Sequence, residues 1–198
     1  MKIILIGASG TLGKAVANEL GQRHDIVGVG RNSGDLRADI TDSASIRALF
    51  EKVGSFDALV SAAGGVHFGA LTEMGEKEFA IGLRDKLMGQ VNLVLIGHEF
   101  ANDGASFTLT TGILSEDPIR YGASASMVNA GLEGFVRSAA LELPRGMRIN
   151  AVSPNVLVES PDYAPYFRGF KPVAAADAAL GYARSVEGAQ TGQVYRIW

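Results

Sequence analysis

The sequence contains no cysteine, which excludes disulfide bonds, thiolate nucleophiles and cysteine-ligated metals. Its three histidines, His24, His67 and His98, lie far apart and show no metal-ligand spacing, so no metal site is predicted. Basic residues form no run, and the net charge of −3 gives no reason to expect nucleic acid or an anionic membrane as a partner. No apolar stretch approaches the ~20 residues of a membrane-spanning helix. With these features absent, the composition is that of an ordinary globular protein.

The length and composition predict one domain spanning residues 1–198. A chain of 198 residues, of which 47% are hydrophobic and 20% charged, is long enough to bury a sizeable core. The first β-branched run follows Met1 so closely that no signal peptide is expected, and the cytoplasm is the simplest location. Glycine is in excess, with 25 residues, which indicates many tight connections between strands and helices.

The clearest motif is a glycine turn near the N-terminus. A strand predicted at 3–6 runs into Gly7, Gly10 and Gly13, and residues 14–20 follow as a helix. Glycines let the backbone approach phosphates, and a helix N-terminus presents free N–H groups. A tight strand–helix turn without a ligand is the alternative, because the spacing is not the commoner G-x-G-x-x-G. We predict that this turn seats a dinucleotide pyrophosphate, with contacts from Gly7, Ser9, Gly10, Thr11, Leu12 and Gly13.

The second strand, predicted at 25–30, indicates which dinucleotide is bound. In a nucleotide-binding βαβ unit, an acidic residue at this tip accepts from the 2′-hydroxyl of NAD, whereas an arginine accommodates the 2′-phosphate of NADP. The tip carries Arg31 and no acid, with Asn32 and Ser33 as further donors. The sequence therefore predicts NADP, and the alternative is an arginine that is merely solvated in a turn.

The remaining chain alternates strands with helices. Further strands are predicted at 36–40, 56–60, 106–111, 147–152 and 193–197, and helices at 43–53, 81–100, 121–143 and 174–186. This alternation is typical of an α/β fold with a doubly wound parallel sheet. The loop at 159–172 contains Tyr163, Tyr166, Phe167 and Phe170. It is either a lid over a substrate or a surface segment whose aromatics pack on the body of the protein.

In chain order, these pieces resemble the short-chain dehydrogenase/reductase family over nearly the full length. The matching segments are Gly7–Gly13, Arg31, Asp39-Ile40, Ala62-Ala63-Gly64, Thr110-Thr111, Tyr121–Ser124 and Arg148–Pro154. The resemblance implies a Rossmann-type three-layer sandwich with about seven strands, NADP (NADPH) as cofactor, and a small carbonyl or alcohol substrate. It implies further cofactor contacts from Asp39, Ile40, Ala62, Ala63, Gly64, Lys86, Pro154, Val156 and Leu157. It also implies a homodimer or homotetramer formed through the helices at 81–100 and 121–143.

The resemblance assigns catalytic roles to Tyr121, Thr111 and Lys86. In the family a tyrosine gives its proton to the carbonyl oxygen, a serine or threonine holds that oxygen, and a lysine lowers the pKa of the tyrosine. The usual spacing is Tyr-x-x-x-Lys, but Ala125 stands four residues after Tyr121. Residues 86–93 resemble the helix that supplies the lysine in polyketide synthase ketoreductase domains, where the tyrosine helix carries an asparagine. The nearest asparagine here is Asn129, one turn beyond Ala125.

Two functions follow from these matches and departures. The first is an NADP-dependent oxidoreductase that moves a hydride between nicotinamide and a small carbonyl or alcohol, and the joint presence of Lys86, Thr111 and Tyr121 favours it. The second is an NADP-binding sensor or regulatory protein that has lost catalysis, which Ala125 favours. The sequence does not identify the substrate, because the loop at 159–172 that would select it is short.

Overall fold

The computed structural model describes residues 1–198, and its centre is one parallel sheet of seven strands. The strands are β1 (Lys2–Ile6), β2 (Asp25–Gly30), β3 (Leu36–Arg37), β4 (Phe56–Ser61), β5 (Ala101–Thr110), β6 (Arg148–Pro154) and β7 (Val194–Ile197). Their order across the sheet is β3-β2-β1-β4-β5-β6-β7, and every neighbouring pair is parallel. The predicted doubly wound α/β fold is confirmed.

Six α-helices cover the two faces of the sheet. They are α1 (Thr11–Leu20), α2 (Ser43–Val53), α3 (Glu76–Gly82), α4 (Gly89–Gly97), α5 (Ala123–Glu142) and α6 (Ala175–Glu187). On one face, Phe50 of α2, Leu93 of α4 and Leu132 of α5 belong to a single core cluster. On the other face, Leu20 of α1 and Tyr182 of α6 belong to a second cluster. Because both faces are covered, β1 can be apolar on both sides, as the fully buried run Ile3–Leu5 shows. None of the helices combines the length and hydrophobicity that crossing a membrane requires.

The strand order reverses between β1 and β4, and this position locates the site. The chain leaves β1 toward β2 on one side, and later returns to β4 on the other side. At the carboxyl edge, Ile6 of β1 lies beside Ser61 of β4, and the two following loops diverge from there. In open α/β sheets, ligands bind in the crevice at this switch point. The glycine turn after β1 and the segment Ala62-Ala63-Gly64 after β4 therefore border one crevice.

Two strands differ from their predicted bounds for local reasons. Only Leu36 and Arg37 pair with β2, because Asp39 accepts hydrogen bonds from the amide and hydroxyl of Thr41 and turns the chain. Conversely, β5 begins at Ala101 rather than at residue 106. Its pairing with β4 is irregular there, and Gly104, with φ +72°, carries the chain through the bulge. The exposed residues between Ala101 and Ala105 conceal this part of the strand in the sequence pattern.

The two long helical predictions also change. The segment predicted as one helix at 81–100 contains the end of α3, a π-helix at Leu83–Met88, α4 and a final turn at 98–100. The helix predicted to open at Tyr121 begins instead at Ala123. Tyr121 precedes it with a left-handed backbone, φ +68°, which cannot continue into a right-handed helix. Both differences affect residues that were assigned catalytic roles.

Candidate active site

The glycine turn contains three glycines, and each has a different structural role. Gly7 has φ +83°, and a Cβ there would lie 2.7 Å from the carbonyl oxygen of Ala62. A Cβ on Gly13 would lie 2.0 Å from the carbonyl oxygen of Gly7, so Gly13 serves the packing of α1 on the turn. Gly10 is the N-cap of α1, and no side chain caps the helix. The first N–H groups of α1 therefore have no intrahelical partner and stay available to an anion.

The turn borders a cavity that we call the nucleotide cavity. Its walls combine glycines, aliphatic side chains and one ion pair: Ile6, Gly7, Gly30, Arg31, Ala38, Ile40, Ala63, Gly64, Gly65 and Asp85. Five of the predicted cofactor residues, Gly7, Arg31, Ile40, Ala63 and Gly64, are thus brought together. The glycines and alanines of this cavity leave room for a planar ring such as the adenine of a dinucleotide, and its aliphatic side chains offer that ring an apolar surface.

Arg31 stands at the rim of this cavity with its guanidinium half exposed. Its Nη2 lies 3.4 Å from Oδ1 of Asp39 and 3.6 Å from Oδ2 of Asp85. Asp39 also accepts two hydrogen bonds from Thr41, which hold the pKa of its carboxyl below the usual range. Long, exposed ion pairs of this kind contribute little free energy. They orient the guanidinium of Arg31, and breaking them to bind another anion costs little. A phosphate can replace these carboxylates as the partner of Arg31.

The neighbouring predicted residues lie around the same rim. Ser33 donates a hydrogen bond of 2.9 Å to Ser9, which ties the loop after β2 to the glycine turn. Asn32 is exposed beside Ser33. Leu12 is partly buried and packs against the core between the sheet and α1, so its side chain is structural. The amide of Ala62 donates to the carbonyl of Ile6 and joins the two loops that border the crevice.

A second cavity, which we call the lysine cavity, lies next to the first. Its lining includes Val66, Phe68, Lys86, Thr111, Gly112, Ile113, Leu114, Ala125, Asn129, Pro154, Asn155, Val156, Leu157, Ser160, Tyr163 and Phe167. Gly64 of the nucleotide cavity touches Lys86 so closely that a Cβ on Gly64 would lie 2.7 Å from Cγ of the lysine. The two cavities therefore meet at this contact. The predicted residues Lys86, Thr111, Pro154, Val156 and Leu157 all line the lysine cavity.

Lys86 is carried by the π-helix Leu83–Met88, a rare turn that frequently marks functional sites. Glycines flank it: a Cβ on Gly82 would meet Val128 at 3.1 Å, and one on Gly89 would meet Ile40 at 2.8 Å. Because these glycines let the π-helix pack closely against its neighbours, the Lys86 ammonium reaches two acceptors. It donates one hydrogen bond of 2.8 Å to Oδ1 of Asn129 and one of 3.1 Å to the carbonyl oxygen of Thr111. Burial lowers the pKa of Lys86 to about 8.

Thr111 is fixed from behind by side chains that sequence reasoning did not assign. The buried amide of Gln90 binds the preceding Thr110 twice, accepting from its N–H at 2.8 Å and donating to its carbonyl at 2.9 Å. The hydroxyl of Thr111 lies 3.4 Å from the buried carboxylate of Glu133, which also accepts from Ser115 at 2.6 Å. Gln90 and Glu133 are buried polar residues, and buried polar groups need hydrogen-bond partners, which Thr110, Thr111 and Ser115 provide here.

Tyr121 does not join Lys86 and Thr111. It is 43% exposed, its ring lies beside the guanidinium of Arg120, and it does not line the lysine cavity. The physical reason is helical register: Asn129 faces Lys86, Ala125 lies one turn before it on the same cavity wall, and Tyr121 falls beyond the start of α5. The ketoreductase domains that residues 86–93 resemble would place a tyrosine four residues before such an asparagine, and that position holds Ala125.

The aromatic segment packs on the body of the protein and borders the lysine cavity. Its base is closed where the amide of Val173 donates to Val156 and that of Val158 donates to Val173. Phe167 is buried in a small cluster with Leu114 and Ala125. Tyr163 lies against Phe68, with ring centroids 6.0 Å apart, and both line the lysine cavity. The segment is thus anchored beside this cavity by Phe167.

Comparison with known proteins assigns the family. The profile of a family described as enoyl-(acyl carrier protein) reductase matches residues 3–194. The chain belongs to the short-chain dehydrogenase/reductase family. None of the curated proteins matches the sequence significantly.

Solved structures show the same fold. The protein lin1944 from Listeria innocua is 53% identical to this chain. The match covers all of both chains, and their structures superpose with a TM-score of 0.99. A protein described as a small-chain dehydrogenase is 26% identical over all of this chain and 95% of its own, with a TM-score of 0.86. Another, described in complex with NADPH, is 24% identical over all of this chain and 96% of its own, with a TM-score of 0.87. Membership of this family supports an oxidoreductase.

Proposed function

We propose that this protein is an NADP-dependent oxidoreductase that moves a hydride between nicotinamide and a small carbonyl or alcohol. The observation that carries the proposal is the junction of two cavities at the contact of Gly64 with Lys86. One cavity has a glycine turn and an arginine suited to a dinucleotide, and the other has a lysine and a threonine suited to an oxygen atom. The NADPH described in the 24%-identical small-chain dehydrogenase supports the choice of cofactor.

The residues present fit a nicotinamide dinucleotide. The uncapped N-terminus of α1 would hold the pyrophosphate. Gly7 leaves the turn open beside it, because a Cβ at this position would collide with the backbone of Ala62. Ile40 and Ala63 would contact the adenine, and Arg31 would bind the 2′-phosphate. The cofactor supplies or accepts the hydride when bound. Thr111 and Lys86 would orient the substrate oxygen, while the segment around Tyr163 would exclude water.

A second candidate rests on Ala125. With alanine in the position of the family's tyrosine, the lysine cavity lacks a phenol at that wall. A protein that binds NADP without turning it over would serve as a sensor or regulatory partner. Incubation with NADPH and a panel of ketones, aldehydes and quinones separates the two functions. Consumption of NADPH above the protein-free rate supports the oxidoreductase, whereas tight NADPH binding without turnover of any panel member supports the sensor.

Arg31→Ala is expected to weaken NADPH binding at least about tenfold and NADH binding little, because charge-assisted contacts to the 2′-phosphate are worth roughly 1.5–3 kcal/mol. Fluorescence titration of both nucleotides measures the effect. The matched control is Arg37→Ala, since Arg37 is exposed nearby and does not line the nucleotide cavity. An equal loss for NADPH and NADH would contradict the assignment of Arg31 to the phosphate.

The proposal extends to a homodimer or homotetramer. An apolar groove runs between α4 and the end of α5, lined by residues that include Val94, Leu95, Phe135 and Leu143. Leu95 is 51% exposed there, and such a surface suits the same groove of a second copy.

Leu95→Asp is expected to convert the oligomer to smaller species in sedimentation velocity, because a carboxylate would be buried unpaired at the contact. Leu71→Asp provides the control, since Leu71 is 66% exposed and lies outside the groove. A wild-type protein that sediments as a monomer would refute the proposed assembly.

A further inference from the structure

The lysine cavity has few side chains that can exchange a proton. Of the residues that line it, Lys86 and Tyr163 alone carry an ionisable side chain. Tyr163 lies in the aromatic segment and is 47% exposed, whereas Lys86 lies at the junction with the nucleotide cavity. Of these two ionisable side chains, Lys86 is therefore the one that borders the nucleotide cavity.

The hydrogen bonds of Lys86 leave one donor unused. An ammonium has three N–H groups, and the protein accepts two of them, at Asn129 and at the carbonyl of Thr111. Both acceptors are neutral and part of the cavity wall. The third N–H has no acceptor in the protein and is available to a molecule in the cavity.

The charges around Lys86 do not neutralise it. Arg84 and Asp85 stand on its own helix, with Asp85 paired to Arg31 at 3.6 Å, and Glu133 on α5 is paired to Arg137 at 3.2 Å. No carboxylate forms an ion pair with Lys86. Tyr163, on the aromatic segment, is the other ionisable residue that lines the cavity. Desolvation is therefore the force that favours release of its proton.

We propose that Lys86 itself donates the proton to the carbonyl oxygen during reduction, in place of the tyrosine that the family places at Ala125. This inference rests on the proposed function. As the carbonyl carbon receives hydride, the electron pair of the C=O π bond moves to oxygen. That oxygen takes a proton from Nζ, the N–H pair stays on nitrogen, and a neutral amine remains. Solvent returns the proton after the alcohol leaves, and oxidation of an alcohol runs the same transfer in reverse.

The first test does not depend on activity. Lysine labelled with ¹³C at Cε is followed by NMR from pH 6 to 11 in the folded protein, and Lys86→Arg assigns the resonance that disappears. Lys86 is expected to titrate near pH 8, well below the ordinary value for lysine of ~10.4. Titration of this resonance only above pH 10 would overturn the proposal, because the ammonium would then hold its proton too tightly to donate it.

The second test uses turnover by NADPH of the panel carbonyl that reacts best. The rate of reduction is expected to fall above pH 8, and the rate of alcohol oxidation to rise through the same range. Lys86→Arg keeps the charge but cannot release the proton, so it is expected to lose turnover about 10²-fold or more. Lys77→Arg on exposed α3 should leave activity unchanged.

The outcomes separate the two candidate donors. Tyr163→Phe is expected to retain the alkaline limb near pH 8, whatever it does to KM. Full turnover by Lys86→Arg would show that the charge alone acts, and loss of the limb in Tyr163→Phe would make Tyr163 the donor; either result overturns the proposal. If wild-type protein reduces no carbonyl, the proposed function fails, and the NMR titration still shows whether Lys86 is poised to exchange its proton.

Discussion

Ala125→Tyr is expected to raise carbonyl reduction by about ten- to a hundredfold, because a positioned general acid contributes typically 10²–10⁴-fold and Lys86 already supplies part of this effect. Ala125 lines the lysine cavity one turn before Asn129, the partner of the lysine. A tyrosine there restores the Tyr-x-x-x-Asn spacing of the ketoreductase domains that the sequence resembles. The ammonium of Lys86 would favour the phenolate and so lower the pKa of the new tyrosine.

The measurement is NADPH oxidation with the same panel carbonyl, compared with Ala125→Phe. The two variants fill the cavity almost equally, since Ala125 is 3% exposed among Leu114 and Phe167 and any added ring must enter the cavity. Only the tyrosine carries a proton, so the ratio of the two rates isolates the hydroxyl. Equal rates would show that the wall at Ala125 does not face the reacting oxygen. Thermal melts of both variants confirm that the fold tolerates the ring.

Most of the fold could be predicted because the information is local. Runs such as Ile3–Ile6, ended by glycine and followed by a helical pattern, specify strand–turn–helix units, and parallel strands joined by helices form few topologies. The strand bounds failed where tertiary contacts decide them. Arg37 ends β3 because Asp39 binds Thr41, and the polar start of β5 pairs with β4 despite its exposed residues.

The nucleotide cavity was more predictable than the lysine cavity for a physical reason. Gly7, Gly13 and Arg31 act through backbone shape and charge near their own strands, so the sequence is sufficient. Catalytic register depends on two helices that meet 43 residues apart, at the bond between Lys86 and Asn129. Spacing counted from Tyr121 places the lysine position at Ala125, whereas spacing counted back from Asn129 places the tyrosine position there. The sequence alone does not distinguish these two alignments. The contact between Lys86 and Asn129 in the structure favours the one counted from Asn129.

Gly13→Ala is expected to destabilise the protein by about 3 kcal/mol, near the upper end of the usual cost of overpacking. The new Cβ would lie 2.0 Å from the carbonyl oxygen of Gly7 and 3.0 Å from Cα of Ala8, both backbone atoms that no rotamer change can move. Helix α1 must therefore shift away from the turn. For a chain of this size, such a loss lowers Tm by roughly 6–12 °C.

Gly134→Ala is the matched control, because it makes the same substitution inside another helix. Gly134 is exposed on α5, and a Cβ there meets nothing within 4 Å. The higher helix propensity of alanine should stabilise this variant by up to about 1 kcal/mol. Urea denaturation thus has to give opposite signs for the two variants. A neutral Gly13→Ala would mean that α1 is loosely seated, and the phosphate-binding geometry inferred for the turn would then lose its support. A loss of NADPH affinity that accompanies the loss of stability would instead tie the helix position directly to the cofactor.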